Sequence, residues 1–227
     1  MTDPGPAVIH LTHWKAGSTW IRRILRRLTG ERYVPHSPDD TPFPTPLGAG
    51  AVYSAYATKE QFEAASIPDP WRRFIVVRDL RDTLVSAYFS FRDTHVENKF
   101  IEPVTLRLRE LDKEAGMIYL MDEFLPRCAR IQASWEGEGE RIVRYEDLLA
   151  GDLEILEDVL LNHCELDVPR ARFERVVKQN RFRHVTGRRR GEEAEHHLRK
   201  GVAGDWRNHF SDRVAEEFDA RFDQRGY

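Results

Sequence analysis

The sequence predicts an α/β fold, a three-layer sandwich whose mainly parallel central sheet is covered by helices on both faces. Two observations carry this reading. Short apolar, β-branched runs recur along the chain, and turns lead from them into segments whose apolar residues repeat at helical spacing. The length of 227 residues suits one domain over 1–227 with a continuous core and is tight for two.

Ala7-Val8-Ile9-His10-Leu11, with Pro and Gly before it and a glycine-containing turn after it, reads as a buried strand. From Ser18, the residues Trp20, Ile21, Ile24, Leu25 and Leu28 form a helical stripe that Gly30 stops. Arg22, Arg23, Arg26 and Arg27 fall between them and are expected to face solvent. Five prolines between Pro35 and Pro46 exclude regular structure there, and with Phe43 they suggest a mobile cover. Ala51 to Tyr56 is a candidate second strand. Phe74 to Val77 is a buried strand ending at Arg78, and Asp82 is placed to cap a helix that carries Leu84, Val85, Tyr88 and Phe89. Residues 104–134 read as mostly helical with a break near Pro126, and Arg141 to Tyr145 as a further strand. Asp152 to Leu161 and Pro169 to Gln179 suit helices. Ser211 caps a last one, whose Val214, Phe218 and Phe222 repeat every four residues.

Composition narrows the function. No apolar stretch approaches the roughly 20 residues of a membrane span, and the chain does not open on a secretory pattern, so a cytoplasmic protein that uses no membrane is expected. Cys128 and Cys164 lack metal-ligand spacing and read as buried thiols. The net charge of −3 hides an asymmetry. Residues 13–27 hold Lys15 and four arginines without an acid, while 72–92 and 181–209 are also net basic, which leaves the remainder strongly acidic. Basic charge kept in three separated windows of an acidic protein suits one folded anion site. It argues against a nucleic-acid partner, whose binders present a net basic face.

Lys15-Ala16-Gly17-Ser18-Thr19-Trp20 lies between the first strand and the first helix, where free backbone N–H groups and the helix dipole favour an anion. Gly17 lets the backbone come close, Ser18 and Thr19 add hydroxyl donors, and Lys15 brings a full charge. The nucleotide-kinase spacing Gly-x-x-x-x-Gly-Lys-Ser/Thr is absent. An arginine at a strand end and a serine in the following helix, Arg78 and Ser86, can converge on one phosphate. Arg78 could also pair with Asp82.

These segments resemble those of PAPS-dependent sulfotransferases of the cytosolic, small-molecule type, where PAPS is 3′-phosphoadenosine-5′-phosphosulfate. The first loop is similar to the family's Pro-Lys-Ser-Gly-Thr-Thr-Trp, with Trp14 at the proline and Ala16 at the first serine. Val77-Arg78-Asp79-Leu80-Arg81-Asp82-Thr83-Leu84-Val85-Ser86 resembles the 3′-phosphate motif. Arg199-Lys200-Gly201-Val202-Ala203-Gly204-Asp205-Trp206-Arg207-Asn208-His209-Phe210 resembles the C-terminal Arg-Lys-Gly-x-x-Gly-Asp-Trp-Lys-Asn-His-Phe segment. The resemblance implies a P-loop-like nucleotide-binding fold with PAPS as co-substrate, PAP as product and no metal. It puts Lys15 between leaving phosphate and sulfuryl group, and Trp20 on the adenine. Arg78, Ser86, Arg199, Lys200 and Gly201 fall to the 3′-phosphate, with Asp205 and Trp206 holding that loop. Tyr145, in a Tyr-Glu-Asp like the family's, and Phe182 fall to the purine.

A hydroxyl acceptor also needs a general base. The family's Lys-Thr-His segment has no counterpart, because Tyr53-Ser54-Ala55-Tyr56-Ala57-Thr58-Lys59-Glu60 stands in its place without a histidine. His36, His95 and Glu60 are the candidates. Residues 31–70 and 92–116 are expected to line the pocket of a small-molecule acceptor, and the protein to be a monomer or homodimer. The competing readings are a small-molecule kinase and a PAP-binding protein without catalysis.

Overall fold

The computed structural model describes residues 5–35, 42–43, 47–94, 101–194 and 198–222. At its centre β1 (Ala7–Thr12), β2 (Val52–Ala55), β3 (Trp71–Val77) and β4 (Ile142–Arg144) form one sheet in the order β2-β1-β3-β4. Every neighbouring pair is parallel, with His10 opposite Ser54 on one side and Phe74 on the other. Parallel strands need crossovers, and these supply α1 (Ser18–Thr29), α2 (Lys59–Glu63), α3 (Leu80–Phe89), α4 (Glu102–Glu110), α5 (Lys113–Glu123) and α6 (Leu125–Ser134). After β4 come α7 (Tyr145–Glu157), α8 (Arg170–Gln179), α9 (Phe182–Thr186) and α10 (Asp212–Phe222).

Strand alternation sends Val8, Val52, Phe74 and Val76 to one face, where Ile21, Ile24 and Leu28 of α1 and Phe173 and Val177 of α8 cover them. Ile9, Leu11, Tyr53, Ile75 and Val77 face the other way, onto Phe62 of α2, Ile131 of α6 and Trp135 just after it. A further apolar cluster joins α3, α5, α6 and α10 through Tyr88, Met117, Leu125 and Phe218. This is the expected three-layer arrangement. Both cysteines are buried free thiols. Among the described residues no helix is long and apolar enough to cross a membrane, and no cluster of His, Cys, Asp and Glu could hold a metal.

Several local expectations change. The break in 104–134 falls at Leu111-Asp112 and at Phe124, and Pro126 sits in the first turn of α6, where a missing N–H costs nothing. Tyr145 opens α7 rather than extending β4, so this helix begins seven residues ahead of Asp152 and continues past a non-helical Gly151. Asp79, not Asp82, caps α3, accepting the Arg81 N–H at 2.8 Å. Arg22 is drawn inward by Ser54, whose Oγ accepts from its Nε at 3.0 Å. Phe43 is buried against the Tyr53 and Phe62 rings at 6.1 and 6.0 Å, which makes it an anchor rather than part of a cover. His36 and His95 lie outside the described residues.

Candidate anion-binding active site

The first loop turns sharply at the C-terminal end of β1. Lys15 has φ 68 and Gly17 φ 87. A left-handed lysine costs of order 1 kcal/mol and persists only where its surroundings impose it. Two side chains, the half-buried Arg78 and the buried His13, do so. Arg78 Nη1 donates to the Lys15 carbonyl at 2.9 Å. His13, which the sequence reading did not single out, donates from Nδ1 to the Trp14 carbonyl at 2.9 Å and accepts the Arg78 backbone N–H at Nε2 at 3.3 Å. That pattern requires the neutral ring, and burial pushes the His13 pKa down to about 4, so the ring stays neutral at pH 7. The loop after β1 is thereby tied to the end of β3.

Lys15 and Arg78 are thus held close together. Among the described residues neither forms an ion pair, the Lys15 ammonium has no hydrogen-bond partner, and the buried Arg78 Nε has none. Burial, and then the charge of Arg78, lower Lys15 from 10.5 to about 8. The region therefore stores unbalanced positive charge beside the N-terminus of α1, whose Gly17 cap offers no side-chain bond. Ser18 begins that helix and is buried, Ala16 is buried beneath the turn, and the Thr19 side chain is exposed. This arrangement attracts a multiply charged anion.

Aromatic rings flank the loop. Tyr145 stands edge-on to Trp20 at 6.3 Å, and the Arg78 guanidinium lies over its ring at 4.5 Å. A Cβ on Gly17 would come within 2.8 Å of the same ring, so only glycine fits there. Trp20 Nε1 is buried without a partner among the described residues. Glu146, next to Tyr145, accepts the Asp79 N–H at 3.1 Å and fixes the turn after Arg78. The Ser86 side chain, in α3, makes no hydrogen bond among the described residues and is half-buried.

The C-terminal segment closes against α3. Asp82 does not pair with Arg78; its buried carboxylate accepts the Gly204 N–H at 2.6 Å and the Trp206 N–H at 3.0 Å. Arg81 lies over the Trp206 ring at 4.3 Å. Asp205 is the hub of the loop. It takes Lys200 Nζ at 2.6 Å, Asn208 Nδ2 at 2.9 Å, His209 Nε2 at 3.2 Å and the Arg199 guanidinium. Burial alone would raise its pKa, but these bonds hold it well below the usual carboxylate range. Phe182 packs close against Gly201, where a Cβ would meet the ring at 2.6 Å. The structure thus gathers Lys15, Ala16, Gly17, Ser18, Trp20, Arg78 and Tyr145 around one loop, and ties the Gly204–Trp206 turn, whose Asp205 holds Arg199 and Lys200, to α3 through Asp82. Glu60 is exposed in the first turn of α2.

Comparison with known proteins gives the same direction. The family model described as "Sulfotransferase domain" matches residues 66–226, which include the Arg78 and Arg199 segments. A 3-alpha-hydroxysteroid sulfotransferase of Cavia porcellus is 24% identical over 242 residues, covering 96% of this chain and 82% of its own. Among solved structures, mouse sulfotransferase SULT7A1 complexed with PAP aligns with a TM-score of 0.64 at 17% identity, over 97% of this chain and 83% of that one. Retinol dehydratase in a complex with retinol and PAP aligns with a TM-score of 0.63 at 13% identity, over 99% and 82%.

Proposed function

The chain belongs to the sulfotransferase family, and from that premise we propose that it transfers a sulfuryl group from PAPS to the hydroxyl of a small acceptor. The observation that best supports the donor is the pair Lys15 and Arg78, two cations fixed on adjacent strand ends with no carboxylate paired to either among the described residues. PAPS supplies the missing negative charge, its 5′-phosphosulfate to Lys15 and its 3′-phosphate to Arg78. Lys15 and the amides that open α1 stabilise the charge that builds on the leaving phosphate, and positioning provides the rest of the acceleration. Arg78, Ser86, Arg199, Lys200 and the Gly201 amide hold the 3′-phosphate. Trp20, Tyr145 and Phe182 receive the adenine, consistent with the two close ring approaches at Gly17 and Gly201. Residues 31–70 and 92–116 form the acceptor side of a single domain.

The test is thermal stabilisation by PAP, ADP and ATP at equal concentration, with and without magnesium, since a ligand selective for the folded state raises the melting temperature. A magnesium-independent shift with PAP that disappears in Arg78→Ala and Lys200→Ala is the expected result. Stabilisation by ATP with magnesium equal to that by PAP, or by none of the three, would overturn the reading.

A further inference from the structure

Taking the sulfotransferase reading as its basis, we propose that Tyr56 is a catalytic residue that accepts the acceptor's hydroxyl proton and relays its own, through Ser18, to the leaving phosphate. The sequence lacks a histidine in the segment after the second strand. The described histidines do not fill the role: His10 and His13 are buried, His163 bonds the Arg73 carbonyl, His209 bonds Asp205 and Lys113, and His184 faces solvent. Tyr56 directly follows β2, and its Oη lies 2.9 Å from Ser18 Oγ, the first hydroxyl of the anion loop.

The phenol is held in place. Its ring stacks on Trp14 with centroids 4.4 Å apart and an interplanar angle of 25°. The Arg22 guanidinium lies 4.5 Å above the same ring. Arg22 is itself fixed by Ser54, which also bonds His10 Nδ1 at 2.8 Å. Neither the stacking on Trp14 nor the Arg22 contact engages the hydroxyl, and together they aim Oη at the loop. A neutral phenol is a weak base on its own, but it can accept one proton as it gives up another. The Ser18 bond provides the outlet.

The step balances without an ionised side chain. The acceptor oxygen attacks sulfur and forms the new O–S bond, while the bond from sulfur to the phosphate oxygen breaks and its electron pair stays on the phosphate. The acceptor proton moves to Tyr56 Oη, the Tyr56 proton to Ser18 Oγ, and the Ser18 proton to the phosphate oxygen. Both hydroxyls end as they began.

Tyr56→Phe tests this, because it keeps the ring, its stacking on Trp14 and its contact with Arg22 while removing the hydroxyl. Two probe acceptors are used with PAPS at one pH: phenol, which still carries its proton, and p-nitrophenol above its pKa, which does not. The relay requires kcat with phenol to fall by about 100-fold or more, with p-nitrophenolate changed by no more than about threefold and the Kd for PAP unchanged. An equal loss with both acceptors, no loss with phenol, or a loss of PAP binding in the variant would overturn it. So would wild-type protein that binds PAP yet sulfates neither phenol, since the relay is drawn for a simple hydroxyl nucleophile. Wild-type protein that does not bind PAP would instead refute the donor reading and take the relay with it.

Discussion

Lys15→Met should make the ligand-free protein more stable while abolishing transfer. Lys15 pays for its position, because burial and the neighbouring Arg78 lower its pKa from 10.5 to about 8. At 1.36 kcal/mol per unit this shift corresponds to roughly 3 kcal/mol of cost to the charged form. Partial solvent exposure of the side chain screens the charge and brings a working value near 1.5 kcal/mol. Methionine has a similar unbranched stem and carries the same penalty at φ 68, so backbone strain cancels in the comparison. In a chain of this size 1.5 kcal/mol raises the melting temperature by about 3–6 °C. The sign with pH follows from proton counting. Below pH 8 both folded and unfolded states hold the proton and the full cost is present. Between pH 8 and 10.5 the unfolded chain holds more protons, so wild-type stability rises with pH and the advantage of the variant fades. Paired melting curves near pH 6.5 and near pH 10 measure this directly, and transfer in the same variant should fall by about 100-fold or more. A variant that melts below wild type at the lower pH, or an advantage that persists undiminished at the higher one, would refute the reasoning.

Other consequences can be measured on the same protein. Binding of PAP, whose phosphates favour the protonated lysine, should weaken as pH rises through about 8, by up to about tenfold per unit for one linked proton; titration calorimetry in buffers of different ionisation heat would show the proton uptake. Gly201→Ala forces a Cβ against Phe182 at a φ of +66 and should cost about 1–3 kcal/mol of stability. Adding Phe182→Ala should recover part of that loss, leaving the share due to backbone conformation, in a double-mutant cycle by denaturant melts. Asp82→Ala leaves the Gly204 and Trp206 amides without their buried carboxylate. It should cost about 3 kcal/mol, hasten proteolysis within 199–206 and weaken PAP binding, with Asp82→Asn milder in all three.

The sheet was readable from sequence because β1 is buried along its whole length and β3 over its last four residues, so Ala7-Val8-Ile9 and Phe74-Ile75-Val76-Val77 stand out as continuous apolar runs. The end of β4 was not, for equally physical reasons. That strand buries only Val143, and α7 starts at Tyr145 from an Arg144 cap that makes no side-chain bond, so no composition signal marks the boundary. The two aspartates after Arg78 show a second limit. Asp79 and Asp82 both suit a helix N-terminus, and what separates their roles is a pair of amides more than 120 residues away, at Gly204 and Trp206. His13 stands beside Lys15 in the sequence, yet its function depends on β1 pairing with β3, which brings the Arg78 backbone to its ring. Tyr56 was visible only as the absence of a histidine. Its meaning required α1 to bring Ser18 within 2.9 Å.

The cations of the site fall into two electrostatic classes, and the difference assigns them different work. Arg78 is oriented by uncharged partners, the Lys15 carbonyl and the Tyr145 ring face, and the Lys15 ammonium has no hydrogen-bond partner among the described residues, so their charge remains uncompensated. An arriving anion gains their full attraction without having to break an ion pair. Arg199 and Lys200 are held by Asp205, with Glu193 on Arg199 as well. An anion that recruits them must share or replace carboxylate partners, so the net gain is smaller. What this second pair supplies is a loop already ordered on Asp82 and Asp205, which lowers the entropy cost of closing over a ligand. The first pair then accounts for most of the attraction and the second for placement. The three basic windows of the sequence are therefore not interchangeable parts of one positive patch.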